Sequence, residues 1–148
     1  MRVSRIDVVF QEVPGEIALA FSVTGCKLRC EGCHSPELWS GKNGEILSDQ
    51  YYLHTLDRYS GLASCVLFFG GEWEPDRLIW CLSQAVLKGF KTCLYTGEES
   101  ISEALMEKLD FIKLGPWIAS KGGLDQINTN QIYKNAKTGE RLNHLFWR

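Results

Sequence analysis

Short buried strands that alternate with amphipathic helices constrain the fold of this chain more than any other feature. The continuously apolar run before Gly70 is typical of a strand buried on both faces, and the residues after it repeat at helical spacing. The predicted elements are, in order, strand Cys65–Phe69, a helix from Pro75 to near Gly89, strand Thr92–Tyr95, helix Ser102–Leu109 and strand Phe111–Leu114. Alternation of this kind indicates parallel strands joined by right-handed crossovers.

The two ends of the chain add further strands. The pattern predicts strands at Val3–Phe10 and Ile17–Thr24, and a helix that is capped at Ser48 or Asp49 and runs to about Tyr59. In the tail, Gln131–Tyr133 and Arg141–Phe146 are predicted to form a closing hairpin. We therefore expect a single α/β domain over residues 1–148.

The length limits the architecture that these elements can build. A complete eight-unit barrel takes about 250 residues, whereas this chain has 148. The prediction is a partial, laterally open (β/α) barrel with a mostly parallel sheet. Ligands bind at the carboxyl ends of parallel strands, so an incomplete wall there would admit a substrate larger than a metabolite.

Composition excludes several functions. The net charge of −2 provides no positive field for nucleic acid or anionic lipid, so neither nucleic acid nor a membrane is expected as a partner. No apolar run is long enough to span a bilayer, and the first residues do not resemble a signal peptide. We therefore expect a cytoplasmic protein, in which clustered cysteines indicate metal or redox chemistry more often than disulfides.

Three cysteines with C-x3-C-x2-C spacing follow the second predicted strand, at Cys26, Cys30 and Cys33. Three thiolates on one loop can hold a cubane iron–sulfur cluster and leave the fourth iron open to a small molecule. A zinc site is the alternative, with His34 as the fourth ligand, although zinc ligands usually come in two separated pairs. The other cysteines are isolated on predicted strands or a helix and are expected to be small buried hydrophobic residues, namely Cys65, Cys81 and Cys93.

The cysteine spacing resembles that of radical S-adenosylmethionine enzymes. More closely, the segment from Val23 to His34 resembles the activating proteins of anaerobic ribonucleoside-triphosphate reductases, in which a glycine also precedes the third cysteine. Gly70-Gly71-Glu72 is similar to the GGE motif of that family, and Thr129-Asn130-Gln131 to its late Asn-Gln element. A proline often follows the GGE motif, whereas Trp73 and Glu74 intervene here before Pro75.

The resemblance implies a [4Fe-4S] cluster on a loop at residues 25–37 and S-adenosylmethionine as a second cofactor. The residues implied as cluster ligands are Cys26, Cys30 and Cys33. The residues implied in cofactor binding are Gly32, Cys33, His34, Gly70, Gly71, Glu72, Thr96, Asn130 and Gln131. Each of the last six also has a purely structural explanation, as part of a strand-end turn or a polar loop.

The expected activity is reductive cleavage of S-adenosylmethionine to a 5′-deoxyadenosyl radical, which generates a glycyl radical on an anaerobic (class III) ribonucleotide reductase. A low-potential donor such as flavodoxin or ferredoxin would supply the electron. No acid–base residue of the chain is needed, because the cofactor performs the chemistry. The alternatives are another glycyl-radical enzyme or a small molecule as target, and a non-catalytic zinc-binding interaction module.

Overall fold

A computed structural model describes residues 1–26 and 44–147. The strands are β1 (Arg2–Val9), β2 (Ala18–Val23), β3 (Glu45–Ile46), β4 (Cys65–Phe69), β5 (Lys91–Tyr95), β6 (Phe111–Leu114) and β7 (Ile132–Asn135). The helices are α1 (Asp49–Tyr59), α2 (Pro75–Leu87) and α3 (Glu103–Met106), followed by a 3-10 turn at Asn143–Phe146. Within these described ranges, the strands form one seven-stranded sheet in the order β3-β1-β2-β4-β5-β6-β7.

The predicted partial barrel is wrong, because the chain forms an open, mixed sheet. Strands β2, β4, β5 and β6 pair in parallel, but β1 and β3 on one side and β7 on the other pair antiparallel to their neighbours. A parallel crossover needs about a dozen residues or more, whereas only residues 10–17 separate β1 from β2. The longer connection between β6 and β7 contains no helix that could form a barrel unit.

The two faces of the sheet are covered differently. Alternate strand residues such as Phe21 and Phe68 belong to one hydrophobic core, together with Leu56 and Leu82 of the helices. The intervening strand residues form a second core, which is covered by side chains of irregular segments and the 3-10 turn: Val13, Leu124, Leu142 and Phe146. Helices therefore cover one face, and loops cover the other.

Most predicted elements are confirmed, and two are not. Strands β4 and β6 have the predicted bounds, and α1 begins where Ser48 Oγ accepts a hydrogen bond from Tyr51 N at 3.1 Å. The helix predicted at Ser102–Leu109 is only the four-residue α3. The predicted tail hairpin is confirmed only in part: Lys134 and Arg141 form an antiparallel bridge and Leu142 N donates to Tyr133 O at 2.7 Å, but β7 otherwise pairs with β6 and Asn143–Phe146 is a 3-10 turn.

The parallel pairing brings the ends of four strands to one edge of the sheet, called here the carboxyl edge. It comprises the segments that follow β2, β4, β5 and β6. Because β7 runs antiparallel to β6, with Ile132 opposite Leu114, the residues just before β7 also lie at this edge. No helix in the described ranges is long and apolar enough to cross a membrane.

Candidate metal centre

A cavity of about 350 Å³ opens at the carboxyl edge, on the face that carries the helices. Its wall contains Cys26 after β2, Glu72 after β4 and Glu98 after β5. The remaining lining residues come from the start of α2 and from the segment around α3: Trp73, Pro75, Ser100, Ile101, Ser102 and Leu105. The fold therefore joins the first cysteine of the triplet and the acid of the Gly-Gly-Glu segment in one site.

Cys26 differs from the other cysteines that the structure describes. It is partly exposed and lies in the cavity wall, whereas Cys65, Cys81 and Cys93 are fully buried in the two cores. Burial raises the pKa of the Cys65 and Cys81 thiols to about 12 and that of Cys93 well above its usual value, so these groups remain neutral. The expectation that they act as small hydrophobic residues is confirmed.

Glu72 carries a half-satisfied carboxylate. Its Oε1 accepts a hydrogen bond from Thr96 Oγ1, but its buried Oε2 has no hydrogen-bond partner among the described residues. Burial raises the pKa of Glu72 and the neighbouring Glu98 raises it further, while the Thr96 hydroxyl, the backbone N–H of Glu72 itself and Lys113 lower it. A cation placed at Oε2 would relieve this desolvation.

Thr96 is the residue that orients Glu72. Its hydroxyl donates to Glu72 Oε1 and accepts from Glu98 N at 3.0 Å, so both of its hydrogen-bonding directions are fixed. Its backbone N–H donates to Lys113 O at 2.9 Å, which ties this segment to β6. Thr96 is only 2% exposed, and its predicted part in cofactor binding stays a prediction.

Gly70 and Gly71 shape the turn that leads from β4 to Glu72. Both adopt positive φ angles, 83° and 106°, which residues with a side chain rarely adopt. A Cβ on Gly71 would contact Met1, Val23 and Leu78, so the space beside this glycine is taken by the core. The part in cofactor binding that the resemblance implies for both glycines stays a prediction.

Asn130 and Gln131 lie at the carboxyl edge but outside the cavity. Asn130 Nδ2 and Gln131 Nε2 both donate to Pro116 O, at 3.0 and 3.5 Å. Asn130 also lies against Gly115, whose N–H donates to Glu98 O at 2.8 Å. The structure thus connects the Asn-Gln segment to the cavity through Glu98, and its amides brace the loop after β6.

Four of the predicted site residues cannot be placed relative to the cavity. Cys30, Gly32, Cys33 and His34, and with them most of the predicted cluster loop at residues 25–37, lie outside the described residues. Within residues 1–26 and 44–147, no group of three or more His, Cys, Asp or Glu side chains is arranged to hold a metal ion. Cys26 is thus the one residue of the predicted ligand set that the structure describes.

The donor chemistry at the edge fits an iron–sulfur cluster. Soft thiolates select iron–sulfur clusters or zinc, and Cys26 presents its sulfur at a cavity and not within a core. The fully buried cysteines on β4, β5 and α2 cannot complete a ligand set with it. The neighbours that would supply the remaining thiolates are Cys30 and Cys33.

Sequence reasoning missed two residues of the cavity wall. Glu98 follows Thr96-Gly97 at the end of β5, so the rule that strand ends meet at one edge could have identified it. Trp73 stands out in the sequence only as an insertion between Glu72 and Pro75. Its position above the cavity depends on the turn at Gly70 and Gly71, which the sequence does not specify.

Comparison with known proteins gives one finding. Searches of curated proteins and of solved structures return no match to this chain. A family model described as a 4Fe-4S single cluster domain matches residues 13–122, which is well over half of the chain and includes the cysteine triplet. With Cys26 at a cavity and the remaining thiols of the triplet within the matched range, the chain belongs to the 4Fe-4S single cluster domain family and is an iron–sulfur protein.

Proposed function

We propose that this iron–sulfur protein is a radical S-adenosylmethionine activase that generates a glycyl radical on an anaerobic ribonucleotide reductase. Cys26, Cys30 and Cys33 would hold the [4Fe-4S] cluster, and an external low-potential donor such as flavodoxin or ferredoxin would reduce it. When bound, the cluster supplies one electron to the sulfonium of S-adenosylmethionine, whose C–S bond breaks to give methionine and a 5′-deoxyadenosyl radical that removes a hydrogen atom from a glycine Cα.

The observation that carries this proposal is the buried Oε2 of Glu72, which has no partner among the described residues and belongs to a side chain that lines the same cavity as Cys26. An unpaired carboxylate oxygen is costly to bury, and an ammonium group is the ligand that would best compensate it. S-adenosylmethionine carries such a group at its methionine end.

The other residues of the edge would position the cofactor. Thr96 holds Glu72 in one orientation, and the carbonyls of Gly70 and Gly71 would lie beside the same ammonium group. The cavity volume of about 350 Å³ lies at the lower end of the range of about 300–1,000 Å³ for small-molecule sites. Gly32, Cys33 and His34 would contact the adenine, while Asn130 and Gln131 would support the edge from the side of β7.

The test is cofactor cleavage by anaerobically purified protein. A brown protein with about four irons per chain, which releases 5′-deoxyadenosine when reduced with dithionite in the presence of S-adenosylmethionine, would support the proposal. The matched control is Glu72→Gln, which we expect to keep its iron and to release much less product. Iron-loaded wild-type protein that releases none would contradict the proposal, and a colourless protein with one zinc would instead favour the non-catalytic module.

The identity of the target needs a separate measurement. A glycyl-radical signal in electron paramagnetic resonance, formed on an anaerobic ribonucleotide reductase only when both proteins and S-adenosylmethionine are present, would support the named partner. Cofactor cleavage without that signal would point to another glycyl-radical enzyme or to a small-molecule substrate.

A further inference from the structure

The indole ring of Trp73 occupies the space above Gly70. A Cβ on Gly70 would lie 2.5 Å from Cη2 and 3.1 Å from Cζ3 of that ring. Carbon atoms do not pack this closely, so the ring must rest directly on the glycine backbone. Gly70 is therefore required for two reasons: its positive φ and the ring that covers it.

Trp73 also forms part of the cavity wall. It is the largest side chain that lines the cavity, beside Cys26 and Glu72, and it packs partly buried against the main hydrophobic core. One part of the indole therefore faces the protein and another faces the cavity. Trp73 and Cys26 thus line the same cavity, with the indole as a flat apolar part of its wall.

The turn that carries Trp73 is held on both sides. Gly71 O accepts a hydrogen bond from Glu74 N at 3.0 Å, which closes the turn around Glu72 and Trp73. The carboxylate of Glu74 forms an ion pair with the N-terminal ammonium of Met1 at 3.1 Å. These contacts restrict the indole to its position over Gly70.

We propose that Trp73 is a positioning residue of the iron–sulfur site, which holds the turn of Glu72 in place and shields the Cys26 side of the cavity from water and dioxygen. Solvent access is set by the apolar shell around such a site, and the indole is the main apolar group between the cavity and the Gly70 turn. This inference rests on the family's cluster and does not depend on S-adenosylmethionine chemistry.

The first test compares the lifetime of the cluster in air. Trp73→Ala, Trp73→Phe and the control Trp147→Phe are loaded anaerobically to equal iron content and then mixed with air-saturated buffer, and the visible absorbance of the cluster is followed. Trp147 lines a second cavity near Lys121 and Asp125, which shares no described lining residue with the carboxyl-edge cavity. We expect Trp73→Ala to bleach about tenfold faster than wild type, because local opening limits access. Trp73→Phe should recover part of the protection, and Trp147→Phe should match wild type.

Equal bleaching rates in all of these proteins would overturn the proposal. If Trp73→Ala does not fold, the comparison of Trp73→Phe with Trp147→Phe decides the question, because both variants keep an aromatic ring. A faster rate in Trp73→Phe alone supports the proposal, and equal rates in the two variants overturn it.

The second test measures how close Trp73 lies to the cluster. A tryptophan that only packs in the core would not give this signal. The emission of each tryptophan is obtained by subtracting the spectrum of its Phe variant from that of wild type, before and after cluster assembly. We expect assembly to quench the Trp73 component by more than the Trp147 component, because energy transfer to the cluster falls steeply with distance. Equal quenching of the two would contradict the assigned position.

The outcomes separate this inference from the proposed function. Iron-loaded protein that fails to release 5′-deoxyadenosine but shows fast bleaching in Trp73→Ala would overturn only the proposed function. Normal cofactor cleavage with unchanged bleaching would overturn only the role of Trp73, and a zinc-loaded, iron-free protein would overturn both.

Discussion

A poorly exposed carboxylate lies at each end of the parallel strands, and the two carboxylates differ in their partners. At the amino ends, the side chain of Glu16 is 10% exposed, pairs with Lys91 at 2.7 Å and accepts from Ser64 Oγ at 3.2 Å. At the carboxyl ends, Glu72 receives one hydrogen bond from Thr96, and its second oxygen has no partner among the described residues. The difference is the counter-ion: a lysine lies within ion-pairing distance of Glu16, whereas no ion pair to Glu72 is found among the described residues.

The cysteines also divide into one at the cavity and others in the cores, and their substitution has the largest expected effect. Cys26→Ala should abolish cluster assembly, because each of three thiolates is an irreplaceable ligand in a site with one open iron. Cys81→Ala is the matched control, since Cys81 is a buried residue of α2 and does not line the cavity. The measurement is iron per chain after anaerobic reconstitution, and a loss of iron in Cys81→Ala as complete as in Cys26→Ala would refute the ligand assignment.

The carboxylates can be compared directly by neutralising each one. Glu72→Gln should weaken the binding of S-adenosylmethionine to the iron-loaded protein by about tenfold to a hundredfold, the usual loss for a hydrogen bond to a charged group. Glu16→Gln should leave binding unchanged and lower the free energy of unfolding by about 1 kcal/mol or less, because it breaks a partly exposed ion pair. Anaerobic calorimetry and chemical denaturation measure the two effects. Equal losses of affinity in both variants would remove the distinction between the edges.

Two glycines with nearly equal φ angles allow the cost of the Trp73 contact to be separated from the cost of the left-handed backbone. Gly70 has φ +83° and lies under the indole, whereas Gly61, before β4, has φ +81° and no atom within 4 Å of its Cβ position. Both substitutions to Ala should cost about 1–2 kcal/mol for the left-handed backbone, and Gly70→Ala should cost about 1–3 kcal/mol more for the clash.

A double-mutant cycle provides the control for that prediction. In the Trp73→Ala background the extra cost of Gly70→Ala should disappear, because the ring that it meets is gone. Denaturant unfolding of the four proteins measures the coupling. An extra cost that persists without the indole would show that the space above Gly70 is limited by another group.

The smallest expected effect is a pH dependence of stability that belongs to Glu72. Burial raises the folded-state pKa of Glu72 above its ordinary value of 4.5, so the folded protein binds this proton more tightly than the unfolded chain does. The resulting stabilisation is present below about pH 4.5 and is lost as the pH rises toward the raised pKa.

Glu72→Gln removes this loss. In the absence of ligand, the variant should gain stability relative to wild type as the pH increases from about 4 to neutral. Thermal unfolding across this pH range measures the difference. A constant difference between the two proteins would mean that Glu72 is well solvated in the folded state.

The sequence predicted the elements of the parallel core well, because their signals are local. The apolar run of β4 and the Ser48 cap of α1 depend only on nearby residues. The barrel prediction was wrong because the direction in which the first strand pairs depends on its neighbour in the sheet and not on local residues. The short connection at residues 10–17 already disfavours a parallel crossover. The predicted tail hairpin is reduced to the bridge between Lys134 and Arg141, because β7 pairs along its whole length with β6.

The candidate site was predicted in part. Gly70, Gly71, Glu72 and Thr96 could be placed at one edge because strand ends in a parallel sheet coincide. The unpartnered oxygen of Glu72, the wall position of Glu98 and the indole over Gly70 require side-chain geometry and could not be read from spacing. The amide side chains were the least informative residues for predicting the site, because Asn130 and Gln131 can donate hydrogen bonds to a loop carbonyl as readily as to a ligand.

The most direct measurement of the central claim is an oxygen-free crystal structure of iron-loaded protein with S-adenosylmethionine. The account predicts a single cubane held by the thiolates of Cys26, Cys30 and Cys33, with the fourth iron bound by the nucleotide and its ammonium group at Glu72. A side chain on the fourth iron, or an ammonium group bound away from Glu72, would contradict it.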